Sequence, residues 1–255
     1  MGIYVNPSDA LLKMAVHSRV YVDKSMILHE LNQVLNTEDR FVCVARPRRF
    51  GKSMAGNMIA AYYGKKAKSR PILEKLKIAQ TSDFETYLNA FNVIKLDING
   101  FYSNSNRNED IVPLFTAEVR EELIKAFPDC GIKDSDTLVN CIKKVYAETG
   151  EQFVLILDEY DVLVREQVKA SIFAPYLAFL NGMFKNADLA PAFALVYLTG
   201  VLPIVRDKIQ SKLNLFTEYI MTAPMQLAEF VGFTEEETQS LCEQYDMDFE
   251  ECKRW

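Results

Sequence analysis

The chain has 255 residues, 49% hydrophobic and 25% charged, with a net charge of −6. These are ordinary globular values for one large α/β domain, or one domain with a small appendage, and the acidic balance removes any global electrostatic pull toward nucleic acid. Five scattered cysteines without a CxxC pair, only two histidines, and no apolar run near the roughly 20 residues of a membrane span exclude a zinc site, a disulfide framework and a spanning helix.

An odd number of widely spaced cysteines fits a reducing compartment. The opening MGIYVNPSDALLK has neither the basic nor the apolar segment of a signal peptide. The expectation is a cytoplasmic protein that does not enter a membrane. Asn6, Pro7 and Ser8 signal a turn, after which Ser8 or Asp9 can cap a helix carrying Leu11, Leu12 and Ala15. The run Tyr21-Val22-Asp23-Lys24-Ser25 follows, with Asp23 or Ser25 as the cap of a helix through Ile27, Leu28, Leu31, Val34 and Leu35.

Residues 41–45, FVCVA, read as a short buried strand. A mostly basic turn comes next, Arg46-Pro47-Arg48-Arg49-Phe50-Gly51. Lys52 and Ser53 then open a helical pattern with Met54, Met58, Ile59 and Tyr62 close to one face. Strand, tight loop, Gly-Lys-Ser and helix make the layout of a phosphate-binding P-loop. The first N–H groups of a helix lack internal partners and lie at the positive end of its dipole, so triphosphate oxygens satisfy both needs. ATP contacts are expected from Arg46, Pro47, Arg48, Arg49, Phe50, Gly51, Lys52, Ser53 and Met54. Lys52 reaches the outer phosphates and the Ser53 hydroxyl binds Mg²⁺. The general pattern has a glycine where this chain has Arg46, which must be accommodated without glycine's backbone freedom. The preceding residues 1–40 can fold over the nucleotide base, with Tyr21 or Val22 nearby, or simply cover the sheet edge.

Residues 64–70 form a basic loop (Lys65, Lys66, Lys68, Arg70), which is either a solvated face or a polyanion contact. Residues 92–99, NVIKLDIN, read as a second strand. Asp97, near its C-terminal end, either meets a ligand, as strand ends of open α/β sheets do, or caps the turn to Gly100. A polar loop over 103–108 leads into a helix with Phe115, Val119, Leu123 and Phe127. A further helix carries Leu138, Cys141, Ile142 and Val145.

Residues 153–161, FVLILDEYD, are the second informative stretch. Five consecutive apolar residues suit the central strand of a parallel sheet, buried on both faces. Acidic residues then appear abruptly at its C-terminal end. Asp158 is placed to hold Mg²⁺, chiefly through water, and Glu159 to polarise an attacking water as general base. The alternative is that Asp158, Glu159 and Asp161 only cap the turn. Asp161 either caps a helix or braces the site from behind. With the Gly-Lys-Ser loop, each on a buried-strand pattern, the two motifs make an ATP site.

A long helix with Pro175 near its start carries Tyr176, Phe179, Leu180, Met183 and Phe184. Residues 193–199, FALVYLT, form another buried strand, whose polar end at Thr199-Gly200 is where a residue sensing the γ-phosphate sits. A short helix over 202–213 would bear Arg206, Lys208 and Lys212. Residues 218–221, EYIM, make a last strand, and Pro224 marks a boundary. Thr234 with Glu237 forms a capping box for a last helix carrying Leu241 and Tyr245. The expected organisation is 1–40 as covering helices of an ATPase domain, 41–222 as its core, and 223–255 as the start of a C-terminal helical or lid region. Alternating strands and helices with the P-loop first give an α/β three-layer sandwich around a mostly parallel sheet.

RPRRFGKS (46–53), YVDKS (21–25), LDEYD (157–161), TGVLPI (199–204) and FVGFTEEE (230–237) together resemble the AAA-ATPase-like proteins of bacteria and archaea. The resemblance runs over nearly the whole chain, and it makes Arg46 a family trait. It implies a P-loop NTPase with an additional strand between the two motif strands. It also implies a continuation past 253–255 into a domain resembling PD-(D/E)XK nucleases, which would be the attached effector. Glu251-Cys252-Lys253 and Pro128-Asp129 only mimic nuclease half-motifs, since neither lies on a strand pattern.

The expected activity is Mg²⁺-dependent ATP hydrolysis with Lys52, Glu159 and Thr199 as the catalytic groups and Ser53 and Asp158 on the metal. Arg48 or Arg49 touches phosphates, acts across a homo-oligomer interface as an arginine finger, or lies on a solvated loop face. The alternatives are a regulatory module that binds nucleotide with negligible hydrolysis, and the ATPase part of a nucleic-acid-processing protein.

Overall fold

The structure is a computed structural model that describes residues 2–106, 110–204, 213–223 and 225–254. In chain order the elements are α1 (Ala10–Val16), α2 (Ile27–Val34), β1 (Phe41–Ala45), α3 (Lys52–Tyr63), α4 (Arg70–Leu73), α5 (Phe84–Tyr87), β2 (Asn92–Asp97), α6 (Ile98–Asn104) and α7 (Ile111–Ala126). They continue with α8 (Leu138–Thr149), β3 (Phe153–Asp158), α9 (Val162–Arg165), α10 (Ala170–Phe184), β4 (Phe193–Gly200), β5 (Thr217–Tyr219), α11 (Glu235–Gln244) and α12 (Phe249–Lys253).

The strands form one parallel sheet in the order β2-β3-β4-β1-β5. β4 is the additional strand between the two motif strands: it pairs Thr199 with Val44 of β1 and Leu198 with Leu157 of β3. Every residue of β1, β3 and β4 is buried, as continuous apolar runs require when both sheet faces are covered. Alternation along each strand divides the core in two. Cys43, Leu155, Leu157 and Leu198 pack with α6 to α10, and Val42, Val44, Ile156 and Tyr197 pack with α1 to α5. The result is the three-layer P-loop NTPase sandwich, followed by the helical pair α11 and α12. α11 starts with the expected capping box, with both the Thr234 and the Glu237 bonds made.

The free edge of β2 is covered by the residues before α1. Val5 bridges Ile94, the Asn6 N–H donates to the Val93 carbonyl at 2.7 Å, and the Lys95 N–H donates to Tyr4 at 2.9 Å. The Glu122 carboxylate on α7 accepts the N–H groups of Ile3, Tyr4 and Val5 at 2.7 to 3.0 Å, which holds this segment on the edge.

Several local expectations change. The strand expected over 92–99 ends at Asp97, and residues 98–104 form a helix, because Asp97 caps it by accepting the Gly100 N–H at 2.9 Å. Asp23 and Ser25 do not cap α2, whose N-cap is Met26 without a side-chain bond. Their side chains reach across the fold instead: Asp23 accepts the Lys77 N–H at 2.7 Å and Ser25 the Ile78 N–H at 3.0 Å. On α1, Leu12 is buried while Leu11 is exposed. Residues 107 and 108 of the expected polar loop lie outside the described residues. So do Pro224 and residues 205–212 of the expected short helix, with Arg206, Lys208 and Lys212. No helix among the described residues is long and apolar enough to cross a membrane.

Candidate functional site

The C-terminal ends of β1, β3 and β4 converge with the N-terminus of α3. The loop leaving β1 is exposed at Pro47, Arg48 and Arg49, and Arg49 takes a left-handed backbone (φ 69°). Gly51 is also left-handed (φ 79°), caps α3 without any side-chain bond, and has open space around a Cβ position. This cradle of turned backbone in front of an uncapped helix is what phosphate oxygens require. Ser53 is exposed on the first turn of α3.

Lys52 is buried, and its Nζ donates to the carbonyls of Arg46 at 2.9 Å and Pro47 at 2.8 Å. Burial lowers its affinity for a proton, and the fields of Asp158, Glu159 and Asp161 partly restore it. Arg46 is 2% exposed. Its guanidinium donates to the carbonyls of Tyr219 at 3.1 Å and Ala45 at 3.4 Å, tying β1 to the end of β5. Its own N–H donates to Gly200 at 3.1 Å. Its side chain therefore serves the sheet, and its carbonyl serves Lys52. Burial also pulls the guanidinium pKa down.

Thr199 organises the acidic end of β3. Its hydroxyl donates to the Asp158 carboxylate and accepts the Glu159 N–H at 3.4 Å, and its carbonyl accepts the Tyr160 N–H at 3.0 Å. Glu159 stands in the left-handed region (φ 53°), a strained conformation that recurs at functional sites. Its carboxylate meets Arg165 at 2.6 Å. Asp161, 1% exposed, accepts the N–H groups of Val201 at 3.0 Å and Leu202 at 2.8 Å, and so braces the segment after β4. Although Asp161 is the N-cap of α9, it makes no side-chain cap bond. Asp97 lies in register with Asp158 on the neighbouring strand. Burial pushes its carboxyl pKa up, the Gly100 N–H opposes this, and Asp158 and Glu159 add to the rise.

Beside the loop is an apolar cavity of about 320 Å³ lined by Tyr21, Val22, Phe50, Met54, Met58 and Phe233, among others. It falls in the range of small-molecule sites, roughly 300–1,000 Å³. Arg165 and the 230–233 wall of the cavity were missed in the sequence. Arg165 had a signal, a cation four residues after Asp161 at the end of an acidic cluster. Phe230 and Phe233 stand in the FVGFTEEE stretch, but nothing local shows that they meet the phosphate loop, which they do only through the fold.

The sequence model described as "Predicted AAA-ATPase" matches residues 10–210. The chain belongs to this AAA-ATPase-like family. The match contains both motif strands, the Gly-Lys-Ser loop and Thr199, and it supports a P-loop ATPase. Among solved structures, the chain is similar to the Aeropyrum pernix ORC1 protein in complex with DNA, with 13% identity, a TM-score of 0.45, and coverage of 96% of this chain and 54% of that one. It is also similar to the Aeropyrum pernix ORC2 protein (ADPNP-ADP complexes), with 11% identity, a TM-score of 0.43, and coverage of 87% and 49%. The chain thus spans about half the length of these structures. No curated relative matches it.

Proposed function

We propose that this AAA-ATPase-like protein is an Mg²⁺-dependent ATPase whose turnover drives or switches an attached effector, nuclease-like by the family's habit. The reading is carried by the junction of an uncapped α3 N-terminus, a buried Lys52 held on loop carbonyls, and the Thr199-anchored Asp158-Glu159 pair at one sheet end. The backbone of residues 47–51 cradles the phosphates. Lys52 exchanges its carbonyl partners for phosphate oxygens, and Thr199 aligns Asp158. Ser53 and, through water, Asp158 would hold Mg²⁺, which would neutralise charge developing on the phosphates. Among the described residues no group of three or more His, Cys, Asp or Glu forms a metal cage. Glu159 positions the attacking water once it leaves Arg165, and the apolar cavity takes the base. Residues 223–255 act as a lid over that cavity.

A second reading has its own observation. With its carboxylate on Arg165 at 2.6 Å, Glu159 is held as an acceptor rather than presented as a base, which suits a switch that binds nucleotide and hydrolyses it negligibly. Nucleic-acid contact through the basic loop has less support: Lys65 pairs with Glu151, and Arg70 with Glu74 and Glu85. A homo-oligomer with Arg48 as an arginine finger is compatible with that residue's exposure.

Calorimetry tests the reading. Lys52→Ala should abolish MgATP binding, and unchanged affinity would remove the P-loop assignment. Glu159→Gln should keep MgATP while turnover falls by about 10²–10⁴-fold. MgATP that stays intact on the unmodified protein in a single-turnover assay selects the switch.

A further inference from the structure

Lys24, within the YVDKS stretch, has an environment that the phosphate chemistry does not use. Its ammonium donates to the carbonyl of Glu229 and to both carboxylate oxygens of Glu237, at 2.6 Å to Oε1 and 2.5 Å to Oε2. Glu229 and Glu237 bracket the segment Phe230 to Gly232 and Phe233. That segment is one wall of the apolar cavity, and Val20, Tyr21 and Val22 form another. One ammonium thus fastens both ends of one wall to the strand of chain that makes the other.

Three further contacts show that the two walls form one unit with the phosphate loop. Gly232 (φ 109°) presses on Phe50, so close that a Cβ there would stand 2.9 Å from the ring. The Tyr245 hydroxyl of the following helix donates to the Arg19 carbonyl, and the Arg19 guanidinium lies over the Tyr245 ring at 5.2 Å. Asp23 and Ser25, on either side of Lys24, are anchored to Lys77 and Ile78. This fixes the Lys24 backbone independently of the wall it holds. Glu237 keeps its capping bond to the Thr234 N–H at 2.9 Å while receiving Lys24. The cavity itself is mostly apolar, so a flat heteroaromatic ring matches it.

We propose that Lys24 and Glu237 are a clasp that positions the nucleoside part of the ligand: they hold the 229–237 wall against the 20–22 wall, so that an adenine-type ring is gripped between them. This rests on the ATPase reading above. Lys24 touches no phosphate in this scheme. It is a positioning residue, acting through Phe230 and Phe233.

The two parts of the ligand separate the clasp from the phosphate site. MgATP affinity is measured by calorimetry, and inorganic tripolyphosphate is titrated as a competitor against it, for the unmodified protein, Lys24→Met, Lys24→Arg and Glu237→Gln. Glu237→Gln keeps an acceptor for the Thr234 cap and guards against a folding defect in Lys24→Met. A part-buried ion pair of about 1 kcal/mol corresponds to roughly fivefold in affinity. The expected result is MgATP binding weakened by roughly that factor in Lys24→Met and Glu237→Gln, tripolyphosphate unchanged, and Lys24→Arg close to the unmodified protein. If either folded variant binds MgATP as tightly as the unmodified protein, or loses MgATP and tripolyphosphate alike, the clasp is overturned while the ATPase reading stands. If the unmodified protein binds no MgATP, that reading falls and the clasp with it.

Discussion

The Thr199 hydroxyl donates to the Asp158 carboxylate across adjacent strands and accepts the Glu159 N–H. A single buried oxygen therefore sets the direction of one acidic side chain and the backbone of the next. Thr199→Val keeps the shape and removes the hydroxyl, leaving the Asp158 carboxylate, 6% exposed, short of a donor. Such a loss costs about 1–3 kcal/mol. The variant should unfold at lower urea with an unchanged denaturant slope, and its ATP turnover should collapse, while Thr199→Ser retains both. Turnover in Thr199→Val equal to that of the unmodified protein would show that this oxygen does not organise the site.

Arg46 stands where the general P-loop pattern has glycine, so the consensus substitution is a sharp test. Arg46→Gly would restore backbone freedom. It would also remove the guanidinium that bridges the carbonyls of Ala45 and Tyr219 in a position 2% exposed. Two buried acceptors then lose their donor, at about 1–3 kcal/mol each. The expected outcome is a protein less stable by about 2–5 kcal/mol whose MgATP affinity is no better than before. Stability preserved in chemical denaturation, or a large gain in affinity, would mean that the arginine is not a structural tie.

Lys52 gives a pH-dependent prediction. Burial lowers its pKa from the ordinary 10.5. Between the lowered value and 10.5 the unfolded chain holds more protons than the folded one, so this group's contribution to stability rises with pH there and is least favourable below both values. Phosphate oxygens favour the ammonium form. MgATP binding should therefore take up more protons as the pH rises from the lowered value toward 10.5 than it does below that value. Calorimetry in two buffers of different ionisation enthalpy reads the uptake directly. Uptake that does not change with pH would place Lys52 away from the phosphates.

Much of this fold is written in local pattern. β1, β3 and β4 are legible because a strand buried on both faces must be apolar at every position, and FVCVA, FVLIL and FALVYL are. The α7, α8 and α10 stripes are legible because Phe115, Val119 and Leu123, or Tyr176, Phe179 and Leu180, recur at helical spacing. The capping box of α11 is local by construction. What escaped reading depends on distance along the chain. Asp23 and Ser25 look like helix caps from their neighbours, yet their hydrogen-bond partners are more than fifty residues away. Arg46 looks like a loop cation until β5 supplies the Tyr219 carbonyl. For the candidate site, the residue types were readable in Gly51-Lys52-Ser53 and Asp158-Glu159. The Arg165 hold on Glu159 is local, six residues away, and was overlooked, whereas the Phe230–Phe233 wall meets the phosphate loop only through tertiary packing.

The cover on the β2 edge has a consequence for how the chain reaches its native state. Tyr4, Val5 and Asn6 find their partners at residues 93 to 95 and at Glu122, and Lys24 finds its partners at Glu229 and Glu237. The segments around residues 4–6 and 24 are thus secured by partners far along the chain. Contacts of such long sequence separation slow folding, because loop closure must precede their reward. During synthesis the β2 edge stays uncovered until α7 has formed, and an uncovered strand edge invites pairing with other chains. The segment before α1 therefore acts as a seal on the β2 edge that only a chain reaching α7 can close.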